Sequence, residues 1–106
     1  MTAEEFVKAF YLEKESLFNS AFDANNKSTI SSLIKELNLD IENNKKLEQI
    51  ISTLLTDTFY TILLGLDGAA SIGDTQHLYQ ISDEDGNEIS GGGIESHAYD
   101  YFHGNK

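Results

Sequence analysis

Apolar positions along the first two thirds of the chain recur at helical spacing. In Thr2 to Ala24, Phe6, Phe10, Leu17 and Ala21 run beside Val7, Tyr11, Phe18 and Phe22, which predicts an amphipathic helix with a broad apolar stripe. Thr2 followed three residues later by Glu5 is a capping box, so the helix starts there. Asn25-Asn26-Lys27 breaks the pattern. Ser28 or Thr29 then caps a shorter helix carrying Ile30, Leu33, Ile34 and Leu37, and Asn38 to Asn44 reads as a polar connection.

The longest predicted helix runs from about Asn44 to Leu66. Leu47, Ile50, Ile51, Leu54, Leu55, Phe59, Ile62, Leu63 and Leu66 spread apolar residues around much of its circumference in the second half, the pattern of a central, buried helix. Ser52, Thr53, Thr56, Asp57, Thr58 and Thr61 interrupt it too often for a bilayer span, so no membrane role is expected. Gly65, Gly68 and Gly73 mark the helix stop and a loop.

After that loop the period changes. His77 to Ser82 and Glu88 to Ser90 flank the turn Asp83-Glu84-Asp85-Gly86-Asn87, a β-hairpin signal. Gly91-Gly92-Gly93 leads into Ile94 to Phe102, where Ile94, Ala98, Tyr101 and Phe102 suit a short amphipathic closing helix. The expected fold is therefore α+β and predominantly α, one domain over residues 1–106, with a helical body around a central helix, a C-terminal β-hairpin and a closing helix. The alternative architecture is a purely helical bundle in which residues 77 to 90 form a loop.

Composition supports folding as one unit: 40% of the 106 residues are hydrophobic, enough for one core and too few for two. Without cysteine there is no disulfide framework and no thiolate metal site. The first residues lack the basic and apolar regions of a signal peptide, and a cytoplasmic location is expected.

Charge alters the functional picture more than composition does. Eighteen acidic residues against seven lysines and no arginine give a formal net charge of −11, and no lysine occurs from Leu47 through Asn105. A field of that sign repels nucleic acid and anionic membrane and favours a basic protein partner, although the same excess also serves solubility.

Candidate chemistry is sparse. The acidic turn at 83–88 has carboxylates beside a glycine, but aligning Gly86 with the invariant glycine of a calcium loop puts Ile81 and Gly92 at two essential ligand positions. His97, Asp100 and His103 recur every third residue and drift around a helix by about 60° per step, which suits solvent-facing residues better than metal ligands. No metal and no cofactor is expected. Asp57, with Thr53, Tyr60 and Thr61 at helical spacings, is a candidate general base of a small enzyme or part of a solvent-facing polar stripe. No nucleophile elbow, zinc-protease motif or phosphate-binding loop is present, and the protein is read as a non-enzyme.

The segments Asp57 to Gly68, Tyr79 to Ile89 and Tyr99 to Phe102 resemble small acidic bacterial immunity-type proteins associated with polymorphic toxins. The resemblance implies a cytosolic inhibitor that holds a basic toxin inactive. The residues independently suggest a docking face: Asp83, Glu84, Asp85, Glu88, Glu95 and Asp100 supply charge, and Tyr79, Tyr99 and Tyr101 supply contact area at low entropic cost, with Tyr101 also suited to the core. A structural or regulatory dimerisation domain is a further alternative.

Overall fold

The computed structural model describes residues 1–104 as four helices: α1 (Ala3–Phe22), α2 (Thr29–Leu37), α3 (Ile41–Leu66) and α4 (Gly93–Phe102). The capping box forms as its residues require, with the Thr2 N–H donating to Glu5 Oε1 at 2.9 Å and the Glu5 N–H to Thr2 Oγ1 at 3.1 Å. Ser28 caps α2 by accepting from the Ser31 N–H, and Asn38 ends it in the left-handed conformation at φ 49°. Asp40 caps α3 by accepting from the Asn43 N–H at 2.8 Å, so this helix begins three residues before the expected Asn44.

Helices α1, α3 and α4 pack against one another at one end of a molecule 47 Å long and 28 by 27 Å across. The core there consists of Val7, Leu63, Ile89, Ile94, Ala98 and Phe102. Its flank is aromatic: the Tyr11 ring meets the Phe102 ring edge-on at 5.6 Å, and Phe10 meets Phe59 in the same way at 6.1 Å.

Two expectations are corrected. There is no β-strand among the described residues, so the fold is helical rather than α+β, and the bundle with a 77–90 loop is the architecture observed. The hairpin shrinks to one isolated bridge, Ser82 with Glu88, next to the Ile89 N–H donating to Ile81 O at 2.7 Å. Its turn is organised by a side chain instead: Asp83 Oδ1 accepts from the N–H groups of Asp85 and Asn87 at 3.0 and 2.9 Å. The Ile81 N–H donates to Ser90 Oγ, and beyond Ser90 the chain enters Gly91-Gly92 and α4. The arm from His77 to Gln80 thus has no strand to pair with and lies exposed. A ladder of that length has too few cross-strand pairs to persist.

The second correction concerns α3. Its last turns are central, with Leu63 and Gly65 buried, but Ile50 and Leu54 near its middle are exposed. By length and composition α3 passes as an apolar helix long enough to cross a bilayer, yet only 11% of its apolar window is buried. Helix α2 does not cover this surface, because among the helices it packs on α1 alone.

Candidate functional site

The nine residues expected to form one acidic docking face fall into three groups. Asp83 is committed internally. Besides organising its own turn, it pairs with the Met1 α-ammonium, and these contacts, together with the Asn87 side chain, hold its carboxyl far below the usual carboxylate range. Only 13% of its side chain is accessible, which leaves Glu84, Asp85 and Glu88 as the exposed charges of the turn.

Tyr101 is also an internal residue. Its ring lies 5.7 Å from that of Tyr11, it is half-buried against the core, and its hydroxyl donates to Glu4 Oε2 at 3.3 Å. Tyr79 sits in the open segment before the turn, its ring 6.3 Å from His77.

The third group does converge. Glu95, and Tyr99 and Asp100 about one turn later, project from the exposed side of α4 and line one shallow depression of about 370 Å³ with Tyr60 of α3, Gly92 and Ser96. The Tyr60 ring is fixed edge-on against His103 at 4.5 Å, and Tyr99 lies 6.2 Å from the same imidazole. In the sequence Tyr60 stands out only as a neighbour of Asp57. Its place opposite Tyr99 depends on how α3 and α4 cross, which helical spacing within either element does not reveal.

The platform carrying this depression is held by Asp67, at the C-terminus of α3. Gly92, the N-cap of α4, has φ 109° and no side chain with which to cap. Asp67 supplies the missing acceptor: Oδ1 takes the N–H groups of Gly91 and Gly92 at 3.1 and 2.8 Å, and Oδ2 takes that of Glu95 at 2.9 Å. A carboxylate against a helix N-terminus satisfies orphan donors and opposes the positive end of the helix dipole. Asp67 thus fixes the start of α4 against the end of α3, while Ile94, Ala98 and Phe102 anchor the rest of the helix in the core.

Asp57, the candidate general base, is exposed on α3 beside a shallow depression of about 360 Å³ lined also by Thr58, Thr61 and Ser71; no histidine or second carboxylate lines it. His97 is half-buried while Asp100 and His103 are exposed, and no group of three or more potential metal ligands occurs among the described residues.

No family model, no curated protein and no solved structure matches the chain.

Proposed function

We propose that the protein is a non-enzymatic binding module whose acidic end receives a basic protein partner, with the immunity-type role, in which that partner is a toxin, as its biological form. The observation that carries this reading is the convergence of Glu95, Asp100, Tyr99 and Tyr60 on one depression in a half of the chain that has no lysine from Leu47 through Asn105. Carboxylates at the rim of such a surface steer a cationic partner and set its arrival rate, while partly exposed tyrosines contribute contact area once water is displaced. Glu84, Asp85 and Glu88 in the neighbouring turn extend the same field. The shallow form of the depression suits a protein surface better than a small substrate.

The test uses the basic product of an adjacent toxin gene as probe. Replacing Glu95 and Asp100 by their amides slows association and flattens its salt dependence, because charges more than ~8 Å apart are screened at physiological ionic strength. Truncating Tyr99 mainly speeds dissociation. A partner that proves acidic, or one whose binding is indifferent to both changes, overturns the reading.

A further inference from the structure

The end of the molecule opposite the acidic site presents apolar surface. Helix α2 is amphipathic in sequence, yet it turns a polar residue inward: Ser31 is 1% exposed and its hydroxyl donates to Asn26 O at 2.8 Å, while Ile30, Leu33 and Leu37 are 54%, 54% and 56% exposed. Across a cleft from α2, α3 leaves Leu54 60% exposed, and Ile50, one turn earlier and just outside the cleft, is 54% exposed. The cleft itself, about 310 Å³, has Leu17, Ile30, Ile51, Leu54 and Leu55 in its walls.

Two quantities say what covers this surface. The first is charge. Residues 1–46 carry six lysines against eight carboxylates, whereas residues 47–105 carry ten carboxylates and no lysine. The start of α1 lies at the acidic end, against Asp83 and Tyr101, but the stretch around α2, residues 16–50, is itself nearly neutral, with four lysines against five carboxylates. Two copies meeting there face little repulsion, can pair lysine with carboxylate across the rim, and keep their acidic ends apart on a body 47 Å long. The second is area. Leu17, Ile30, Leu33, Leu37, Ile50 and Leu54, each exposed by about half, present on the order of 500 Å² per copy. That is comparable with the apolar share, about 65%, of a standard-size interface of roughly 800 Å² per partner, and it lies at the upper end of what monomeric proteins expose.

From the orientation of α2, the charge division and the area, we infer that the chain forms a twofold homodimer through this face, each copy inserting the Leu33–Leu37 side of its α2 into the cleft between α2 and α3 of the other. The interface is isologous and closed, so assembly stops at two. It leaves both acidic ends free, and it stands or fails independently of the partner proposed for them.

Sedimentation equilibrium of the full chain over about 5 to about 200 µM tests this, a range that brackets a dissociation constant of roughly tens of micromolar. The expected mass approaches twice the 11.8 kDa protomer. Leu33→Glu with Leu37→Glu, both at exposed positions, weakens association by more than about tenfold while the helical circular dichroism is retained. Glu84→Gln with Asp85→Asn, at the other end, leaves the mass unchanged. A monomer throughout the range overturns the inference, as does a dimer indifferent to the two glutamates. A monomer that partitions onto neutral phosphatidylcholine vesicles overturns it in favour of a lipid occupant.

Discussion

The Asp67 carboxylate accepts the backbone N–H of Glu95 at 2.9 Å, joining the last residue of α3's cap to the first turn of a helix 28 positions later. With the Gly91 and Gly92 N–H groups on its other oxygen, it supplies the cap that α4's own sequence lacks. Asp67→Ala is expected to cost about 0.5–2 kcal/mol, since a charge-assisted cap is lost and its exposed donors return to water. In a domain of this size, that lowers the melting temperature by roughly 4–8 °C per kcal/mol. Asp67→Asn retains one acceptor for the glycine N–H groups and should cost less. Thermal unfolding of the two variants checks the order.

That contact also lies beyond what local sequence pattern reveals. The Thr2–Glu5 box, the Ser28 cap and the closing helix after the glycines were legible because each depends on residues within one or two turns of each other. Asp67 was legible only as part of a helix stop, because the donors it satisfies lie 24 to 28 residues away. The 77–90 hairpin failed for a related reason. Alternation and an Asp-Gly turn are local signals, but a ladder needs a second arm, and the glycines after Ser90 divert that arm into α4. Asp83 looked like surface charge and is instead the organiser of its turn. The inward orientation of Ser31 contradicts its helix's own apolar stripe, so periodicity could not reveal it.

Gly65 is a second long-distance constraint. A Cβ built there would lie 2.3 Å from Cγ1 of Ile72, so the loop after α3 packs directly on helix backbone. In an open helix Gly→Ala stabilises by up to about 1 kcal/mol. Here the overlap reverses the sign, and Gly65→Ala should destabilise by about 1–3 kcal/mol. Combining it with Ile72→Ala removes the clash, and the double variant should be more stable than the two single effects predict. A double-mutant cycle in urea measures that coupling.

The Asp83 turn predicts a pH dependence. The Met1 ammonium, the Asn87 side chain and the backbone N–H groups of Asn87 and Asp85 hold this carboxyl far below its ordinary value. A carboxyl depressed on folding contributes stability that is fully present above its unfolded pKa, near 3.9, and is lost as pH falls below it. Unfolding between about pH 6 and pH 2 should therefore show a steeper acid loss in the native chain than in Asp83→Asn. Asparagine keeps an oxygen for the Asp85 and Asn87 N–H groups, so the turn itself persists and the difference isolates the charge. Parallel acid curves for the two proteins would contradict the assignment.

The two tyrosines of α4 should separate stability from binding. Tyr99 is 56% exposed at the acidic depression, with its ring 6.2 Å from the His103 imidazole. Tyr99→Ala removes little buried area, so its effect on stability should stay within about 0.5 kcal/mol. Tyr101, two residues on, points to the opposite side of the helix, where it packs on Tyr11 and reaches Glu4. Tyr101→Ala should cost about 2–4 kcal/mol, at the low end of buried aromatic truncations because the ring is only half enclosed. Tyr101→Phe, which keeps the ring and removes one hydroxyl contact, should cost about 1 kcal/mol. Chemical denaturation of the three variants checks these values. It also decides how binding data on the acidic end are read: a partner released by Tyr99→Ala, in a protein as stable as the native one, has lost a contact. One released by Tyr101→Ala but retained by Tyr101→Phe has lost the packing of α4 on α1, and with it the platform on which Glu95, Tyr99 and Asp100 stand.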